Sequence, residues 1–412
     1  EPCSRHRVSG KARCYSREQK THDAFSKVTA MNFPVESFPE EQVLPGSITQ
    51  TRCQFETVED AVAVLRETAE DLLHKNRRSM TGDRPAWTAH PADADRLLGL
   101  REYAYILEGI GDSIQPDDLL TVCRLLLNGR REDGAFPVAF GTDGIPLYES
   151  PAPGRPGTDV VPFVVDVAWH TFQYAGDDGL LEELVGTLAP AMEHVPRNPK
   201  TDLVYLDPDD DDSGPNYGYT DTIRKRGDLL FCSLLYVQAS RQLADLMQAA
   251  GRDGDADLWR ATAQTVAKRI RMYFWDKKIG LFRAASSRCR QHDIWGSAFA
   301  VYLNVATSGQ LMSIARYFID HYDDIIYRGQ LRHLPARTFW EDSTTPAGSY
   351  QNGGYWAAPV GWLTYTLNIV DPALADHTTI ELAADLYTNG VYQCISPEGV
   401  GHLPDYVVSA AL

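Results

Sequence analysis

The sequence has 412 residues, of which 43% are hydrophobic and 23% charged, a composition that can bury the core of one large globular domain. Its 39 basic and 56 acidic side chains give a net charge of −17 at pH 7. This charge excludes nucleic acid and anionic membrane surfaces as expected partners, because phosphate binding needs concentrated Lys and Arg. No apolar run approaches the ~20 residues of a membrane span.

The start of the chain is polar and shows little periodicity, so we expect an irregular N-terminal extension at 1–57 and one folded domain at 58–412. Cysteines occur in an odd number, which leaves at least one thiol free if the others pair. None forms a C-x-x-C motif, so no metal site of the zinc type is expected. The compartment stays open, with secretion favoured over the cytoplasm. The seven residues are Cys3, Cys14, Cys53, Cys123, Cys232, Cys289 and Cys394.

Apolar residues at helical spacing predict twelve helices along the folded domain. The first helix is expected near 58–75 and the second near 94–111. The others follow near 116–128, 160–175, 178–194, 221–250, 254–274, 291–305, 308–321, 355–369, 372–388 and 403–412.

The connections between these helices alternate between short and long. Tight turns containing Gly, Asp or Pro join five pairs of helices, and long loops separate the pairs. Loops of this length in a compact domain are usually functional or disordered, and their regular placement favours function. If consecutive helices are antiparallel, all long loops lie at one end and can form one site. These loops are 76–93, 130–158, 195–220, 275–290, 322–354 and 389–402.

Six helical hairpins predict an all-α fold, an (α/α)6 toroid in which the even-numbered helices form an inner ring. The alternative is an open α-solenoid, whose hairpins also alternate, although no fixed 34- or 40-residue repeat is visible. A doubly wound α/β fold is disfavoured because β-branched runs of strand length are scarce.

The third long loop ends in the segment Asn216-Tyr217-Gly218-Tyr219-Thr220-Asp221-Thr222. Glycine lets the backbone approach a ligand closely, and a tyrosine such as Tyr219 offers a flat face to a sugar. Asp221, at the predicted start of a helix, is explained in part as an N-cap residue. Capping does not account for the flanking aromatic residues, so we predict a catalytic or substrate-binding role for Asp221.

The fifth long loop combines aromatic, amide and acidic side chains. Amides can hydrogen-bond to hydroxyl groups while rings cover the C–H faces of a neutral polyhydroxylated ligand. The alternative is an aromatic lid over the core. The candidate substrate-binding residues here are Trp340, Glu341, Asp342, Gln351, Asn352 and Trp356.

Other candidates lie near the remaining loop ends. Arg101 and Glu102, on the second helix, are predicted to contact the substrate, and a brace within the barrel is the alternative. Asp293 and Trp295 are predicted to line the pocket, whereas the neighbouring His292 is of a type that is often structural. Glu398 lies between Pro and Gly on the last loop, where no helix explains a carboxylate.

An acidic run at 207–212 offers oxygen ligands of the kind that calcium prefers. It also superficially resembles an Asp-rich magnesium motif, but Ser213-Gly214-Pro215 breaks any helix that could space the carboxylates. A solvated turn is the favoured interpretation, and calcium is the alternative. The calcium ligands would be Asp209, Asp210, Asp211 and Asp212.

Carboxylates, aromatic rings and amides around one pocket, without a nucleotide-binding loop, indicate acetal chemistry. Hydrolysis of a glycoside needs one protonated carboxyl group to assist the leaving oxygen. A second carboxylate activates water or attacks the sugar directly.

From about residue 58 the chain resembles the six-hairpin glycosidases, which include trehalases, processing α-glucosidases, glucoamylases and α-L-rhamnosidases. In trehalase-like members a Gly-x-Asp segment opens an inner helix and supplies the general acid. Residues 217–224 are similar to it, which implicates Asp221. Their general base is a Glu before the final inner helix, the position that Glu398 would occupy; Glu341 and Asp342 are held in reserve. In the same members a segment rich in Asn or Arg, Gly and Trp leads into a later inner helix and shapes the sugar subsite. Residues 351–356 are similar to that segment.

This resemblance implies an inverting, exo-acting glycosidase that releases a neutral terminal sugar, such as an α-glucoside, with carboxyl groups ~6.5–9.5 Å apart. No cofactor is expected, and the chain would act as a monomer or homodimer. One alternative is a sugar epimerase or polysaccharide lyase on the same barrel, in which His292, His333 or His402 would face the pocket. Another is a non-catalytic carbohydrate-binding descendant.

Overall fold

A computed structural model describes residues 55–93, 96–149, 157–209 and 221–411. Almost all of the predicted extension at 1–57 therefore lies outside the described residues. So do Tyr219 among the candidate site residues and Asp210, Asp211 and Asp212 of the acidic run.

The described chain is mostly helical, as predicted. Its helices are α1 (Val58–Lys75), α2 (Leu100–Ile110), α3 (Pro116–Asn128), α4 (Val160–Ala175), α5 (Asp178–Glu193), α6 (Leu230–Ala249), α7 (Asp253–Tyr273), α8 (Ile294–Tyr302), α9 (Ser308–Asp320), α10 (Tyr322–Ile325), α11 (Val360–Asn368), α12 (Pro372–Asn389) and α13 (Val408–Ala411).

Local capping explains why several helices begin and end where the sequence predicts. Helix α1 starts after Thr57, whose hydroxyl accepts a hydrogen bond from the backbone of Asp60 at 3.1 Å. Helix α3 has Pro116 in its first turn, where a missing N–H costs nothing. Helix α4 ends at Gly176, which has a φ of 65°.

The helix predicted at 221–250 begins nine residues later, at Leu230. The preceding segment is extended instead, and its backbone forms bridges with 285, 288 and 343. Gly227 within it has a φ of 83°, and a Cβ atom there would lie 2.5 Å from the Ser286 hydroxyl. A helix cannot pass through that conformation, so Asp221 precedes an extended segment and does not cap a helix.

Helices α2, α4, α6, α8 and α11 carry buried residues on most faces, and we call them the inner helices. Each packs on the next in this order, and α13 packs on α2. Aromatic rings fill the centre: Phe299 of α8 lies 4.9 Å from Phe231 of α6 and 4.5 Å from Trp362 of α11. The intervening helices α1, α3, α5, α7, α9 and α12 are amphipathic and contact the inner helices.

Short strands connect the long loops. In a five-stranded antiparallel sheet the strands 401–404, 392–395, 355–356, 330–332 and 326–327 lie side by side in that order, and the other described strands form two-stranded pairs. Strands of this length are too short for a reliable alternation pattern in the sequence. The strands are β1 (Arg77–Met80), β2 (Arg84–Trp87), β3 (Ala139–Phe140), β4 (Pro146–Leu147), β5 (Tyr205–Leu206), β6 (Gly227–Asp228), β7 (Trp275–Asp276), β8 (Leu281–Phe282), β9 (Ile326–Tyr327), β10 (Gln330–Arg332), β11 (Tyr355–Trp356), β12 (Tyr392–Ile395) and β13 (Gly401–Pro404).

The five-stranded sheet joins the fifth and sixth long loops. Leu331 of β10 pairs with Trp356 of β11, and Tyr355 pairs with Ile395 of β12. The sheet therefore places the end of the 322–354 loop beside the 389–402 loop.

The cysteines within the described residues, Cys123, Cys232, Cys289 and Cys394, are all buried free thiols. No helix in the part of the chain that the structure describes has the length and apolar character needed to cross a membrane.

Candidate active site

Arg101, in the first turn of α2, is held by two carboxylates. Its guanidinium makes a bidentate pair with Asp159, with both N–O distances at 2.8 Å, and a further bond of 2.9 Å to Glu149. Asp159 is fully buried immediately before α4. Burial raises the pKa of Glu149, while Arg101 opposes that shift. The pair therefore ties the start of α2 to the start of α4, in agreement with the bracing role considered for Arg101.

Asp221 is positioned through its backbone by the side chain of Gln351. The Gln351 amide oxygen accepts bonds from the Asp221 N–H at 2.9 Å, the Thr222 N–H at 3.1 Å and the Thr222 hydroxyl at 2.8 Å. Gln351 itself is only 3% exposed. The predicted third and fifth long loops thus meet at this point.

The pKa of Asp221 is raised, first by burial of its carboxyl group and then by the negative charge of Glu102, while Arg101 opposes the shift. The residue as a whole remains solvent-exposed, so desolvation is local to the carboxyl group. Glu102 and Arg101 are consecutive on α2. The structure therefore brings Asp221, Glu102 and Arg101 together, although they are far apart in sequence.

Asp93 is a further carboxylate near this group. Burial raises its pKa, and Glu102 adds to the shift whereas His90 opposes it. The His90 Nε2 atom lies 3.3 Å from Asp93 Oδ2. Asp93 and Asp221 are therefore both within range of the Glu102 charge, and we call Asp93, Glu102 and Asp221 the acidic cluster.

Tyr350 lies against the acidic cluster. Its ring packs on Trp356 at 5.0 Å and on His402 at 5.3 Å. Burial raises the pKa of its hydroxyl, the charges of Asp221 and Glu102 add to this, and a hydrogen bond from Gln393 opposes it. The half-buried ring of Tyr350 thus provides aromatic surface near Asp221 and Glu102, and the buried ring of Trp356 supports it.

Asp293 and His333 form a buried pair below these rings. Asp293 caps α8, because its Oδ1 atom accepts from the Gly296 N–H at 2.7 Å, and the same atom lies 3.1 Å from His333 Nε2. Burial alone would raise the pKa of Asp293, but His333 and Lys225 outweigh it and lower the pKa. Burial also lowers the pKa of Lys225 itself.

Two indole rings pack against the His333 ring of this pair. His333 stacks on Trp295 at 3.9 Å with an interplanar angle of 5°, and Trp340 meets His333 edge-on at 4.9 Å. The Lys225 ammonium lies 5.2 Å from the centre of the Trp340 ring. Trp295 is fully buried. Asp293 and Trp295 therefore support the site from within the protein.

Asn352 shapes the 322–354 loop through backbone contacts. Its Oδ1 atom accepts from the Trp340 N–H at 2.8 Å, and its Nδ2 atom donates to the Thr345 carbonyl at 3.0 Å. The indole N–H of Trp340 donates to the Gln351 carbonyl at 3.1 Å. These bonds use the Asn352 amide to hold the loop.

The two reserve carboxylates have partners elsewhere on the loops. Asp342 forms ion pairs with Arg288 at 3.2 Å and with Arg224 at 3.6 Å. Glu341 accepts a hydrogen bond from the backbone N–H of Cys289. Both contacts tie the 322–354 loop to its neighbours.

Glu398 lies on the exposed turn between β12 and β13, where its carboxylate accepts a bond from the Ser396 hydroxyl at 2.8 Å. Among the described residues, the charges that act on Asp221 are those of Glu102 and Arg101. Glu398 is thus placed on the predicted sixth loop, while the carboxylate that interacts with Asp221 is Glu102.

His292 and Asp209 have local structural contacts. His292 lies 3.0 Å from Asp276, a contact that is the main cause of the lowered pKa of Asp276, about 2. The Asp209 N–H donates to the Asp207 side chain at 3.0 Å, as in a tight turn. Within the described residues, no group of three or more His, Cys, Asp or Glu side chains could hold a metal ion.

Sequence reasoning missed Asp93, Tyr350, Gln393 and the pairing of Asp293 with His333. Asp93 and Tyr350 lie on long loops already predicted to be functional, and that position was the available signal. Gln393 lies on a four-residue strand, and so short a sequence does not distinguish a ligand-binding residue from a core residue. The pairing joins residues 40 positions apart, and one sequence has no signal for it.

The sequence matches no protein-family model and no curated protein. Solved structures do resemble the chain. A GH63 mannosylglycerate hydrolase from Thermus thermophilus, in complex with glucose, is 14% identical with a TM-score of 0.60, and the match covers 84% of this chain and 98% of that one.

Two further solved structures resemble the chain to a similar degree. A rhamnosidase from Klebsiella oxytoca with rhamnose bound is 15% identical with a TM-score of 0.59, over 86% of this chain and 64% of that one. An uncharacterized conserved protein from Thermus thermophilus is 16% identical with a TM-score of 0.59, over 84% and 98%. The mannosylglycerate hydrolase and the rhamnosidase belong to the six-hairpin glycosidase superfamily. The chain therefore shares the fold of the six-hairpin glycosidases.

Proposed function

We propose that this protein is an exo-acting glycoside hydrolase that releases a neutral terminal sugar, such as an α-glucoside. Hydrolysis would invert the configuration of the anomeric carbon. The observation that carries the proposal is the raised pKa of Asp221 within range of the Glu102 charge, together with the half-buried ring of Tyr350, whose hydroxyl is affected by both carboxylates. A carboxyl group that stays protonated can give its proton to a leaving oxygen. The neighbouring ring suits a C–H face of a sugar.

The proposed architecture is a closed (α/α)6 toroid. The packing of α2 on α4, α4 on α6, α6 on α8 and α8 on α11, together with α13 on α2, supports a ring of inner helices. The likeness to a hydrolase solved with glucose and a rhamnosidase solved with rhamnose supports a carbohydrate ligand.

In the proposed mechanism Asp221 is the general acid. Glu398 is the base predicted from the sequence, and Glu102 is the rival base because its charge acts on Asp221. The base removes a proton from water as that water attacks the anomeric carbon, and Asp221 protonates the departing oxygen. Arg101, fixed by Asp159, positions the α2 end of the site. Proton transfer between carboxyl groups and water requires no cofactor.

The test is a panel of aryl glycosides and oligosaccharides on the wild type and the variants Asp221→Asn, Glu398→Gln and Glu102→Gln. We expect Asp221→Asn to lower kcat by about 10²- to 10⁴-fold, the usual contribution of general acid catalysis. Whichever glutamate acts as base should give a similar loss. Glu182→Gln, at an exposed residue of α5, is the matched control and should keep full activity.

Activity that survives Asp221→Asn would contradict the acid assignment. The product anomer, followed by NMR, tests inversion, and appearance of the retained anomer first would contradict it. A wild type that binds sugars and hydrolyses none would favour a non-catalytic carbohydrate-binding protein.

A sugar epimerase or polysaccharide lyase is the second candidate, favoured by the contact of His402 with the Tyr350 ring at 5.3 Å. Such enzymes transfer protons through His or Tyr side chains. Incorporation of solvent deuterium into a recovered sugar by the wild type, abolished in His402→Gln, would support this candidate over hydrolysis.

A further inference from the structure

Gln393, on β12, has a buried amide oxygen that makes no hydrogen bond with any of the described residues. The residue is only 8% exposed. Buried polar atoms in native proteins are nearly always paired, so each exception needs an explanation. An acceptor that lies next to a ligand site is explained when the ligand supplies the donor.

The position of Gln393 links this oxygen to the candidate active site. Its strand β12 pairs with β11, which carries Trp356, and the Gln393 amide lies near enough to the Tyr350 hydroxyl to lower its pKa as a donor. The same hydroxyl interacts electrostatically with Asp221 and Glu102, and the Tyr350 ring packs on Trp356. Gln393 thus neighbours Tyr350, whose hydroxyl is within range of the charge of the proposed acid.

The chemistry of the amide defines what it can bind. An amide that donates its N–H to Tyr350 presents its oxygen as a neutral acceptor. The matching ligand group is a donor, and hydroxyl groups of a neutral sugar provide one beside the ring of Tyr350. Leaving that acceptor unpaired in the free protein is a cost that the bound hydroxyl removes.

We propose that Gln393 is a ligand-positioning residue whose Oε1 atom accepts a hydrogen bond from one hydroxyl of a neutral monosaccharide unit bound against Tyr350. This proposal rests on the proposed function for the class of ligand, and it concerns binding, which does not require turnover. Its specific consequence is that one sugar hydroxyl, and not the others, is read by Gln393.

The experiment measures binding of D-glucose, D-mannose and L-rhamnose by calorimetry to the wild type, Gln393→Met and Gln393→Glu. Methionine has a similar length and no acceptor amide, whereas glutamate retains an acceptor oxygen. We expect Gln393→Met to weaken binding of the tightest sugar by about 10- to 100-fold, as is usual when a buried polar contact to a ligand is lost.

Gln330→Met is the matched control. Gln330 is also buried, lies on β10 of the same sheet and has an amide oxygen without a partner among the described residues, but its Nε2 atom donates to Asp385 at 2.9 Å. We expect this variant to bind the sugar as the wild type does. Thermal unfolding of each variant checks that it is folded.

Monodeoxy analogues of the tightest sugar then identify the hydroxyl that Gln393 binds. The analogue that lacks this hydroxyl should bind the wild type weakly, and Gln393→Met should lower its affinity little further. Such non-additive losses show that the hydroxyl and Gln393 are in direct contact. The same hydroxyl should still be recognised by Gln393→Glu. A purely structural role would weaken all analogues equally.

Unchanged binding by Gln393→Met, an equal loss in Gln330→Met, or the absence of coupling to any hydroxyl would overturn the proposal. A wild type that binds sugar without hydrolysing it would contradict the proposed hydrolase and leave the Gln393 assignment intact. A wild type that hydrolyses glycosides, with a KM that is unchanged in Gln393→Met, would support the proposed hydrolase and contradict the Gln393 assignment. No binding of any of the three sugars to the wild type would overturn both.

Discussion

The carboxyl group of Asp221 interacts with two opposite charges on consecutive residues of α2. Glu102 raises its pKa, and Arg101 lowers it. Burial is the larger cause of the upward shift. A general acid must be protonated to act, so its pKa sets the alkaline limb of the activity profile.

We therefore expect Glu102→Gln to lower the pKa of Asp221, because it removes a negative charge and leaves Arg101 and the burial unchanged. The alkaline limb of kcat/KM should therefore move to lower pH. The measurement is the pH profile of kcat/KM for the wild type and the variant. Glu182→Gln should leave the profile where it is, and a limb that moves to higher pH would contradict the electrostatic argument. If Glu102→Gln abolishes turnover, the pKa of Asp221 is measured by NMR.

At the scale of elements, helix α8 begins at the buried carboxylate of Asp293, which also supports the site and has the Lys225 charge nearby. Asp293 caps the helix at Gly296 and pairs with His333, and both are almost completely buried. Lys225 adds a positive charge to the same region. Removal of one partner from a buried charged pair leaves the other uncompensated.

We expect Asp293→Ala to lower the free energy of unfolding by about 3–5 kcal/mol. Thr307→Ala, at the exposed N-cap of α9 where a capping box joins Thr307 and Gln310, should cost about 1 kcal/mol. Chemical denaturation of both variants measures the difference. Equal costs at the two caps would mean that Asp293 acts as an ordinary cap residue.

The bounds of α1, α3 and α4 were predictable because Thr57, Pro116 and Gly176 are local signals. The start of α6 was not, because long-range pairing makes 223–229 extended. The alternation of short turns and long loops predicts that the long loops lie together, and the backbone of Asp221 does contact Gln351. The alternation did not reveal that Glu102 is the carboxylate acting on Asp221, since the angular position of α2 depends on packing. The sugar-binding and catalytic roles of these residues stay predictions.

At the scale of the whole molecule, a second group of buried ionisable side chains links four inner helices. Asp166 of α4 accepts hydrogen bonds from Gln238, at 3.2 Å, and Gln242 of α6. Glu108 of α2 accepts from the Tyr302 hydroxyl of α8 at 2.7 Å. Burial raises the pKa of Asp166 to about 7, and the charge of Asp166 contributes to the raised pKa of Glu108.

The other titratable groups around this cluster are His170 and Tyr174 on α4. Burial lowers the pKa of His170 to about 4, and its Nε2 atom lies 3.6 Å from Asp166. Burial raises the pKa of Tyr174 to about 12. Near neutral pH the cluster is therefore governed by the carboxyl groups, and their protonated forms favour the folded state.

The sign of the pH dependence follows from the raised pKa of Asp166. Its contribution to stability is complete below the ordinary pKa near 3.8 and is lost as the pH rises through about 7. We expect Asp166→Asn, which stays neutral, to be more stable than the wild type at pH 8 by roughly 1–3 kcal/mol, with the advantage vanishing near pH 4. Denaturation at both pH values measures this. Asp257→Asn, at an exposed residue of α7, should show no such change, and a wild type that gains stability relative to Asp166→Asn on going from pH 4 to pH 8 would contradict the account.

The most direct test of the proposed function compares aryl glycosides whose leaving phenols differ in acidity. A dinitrophenolate departs without a proton, whereas an alkoxide or a simple phenolate needs one. If Asp221 is the general acid, Asp221→Asn should hydrolyse a 2,4-dinitrophenyl glycoside at nearly the wild-type rate and lose about 10²- to 10⁴-fold on the phenyl glycoside. An equal loss on both substrates, or no loss on either, would contradict the assignment of Asp221 as the acid of a glycosidase.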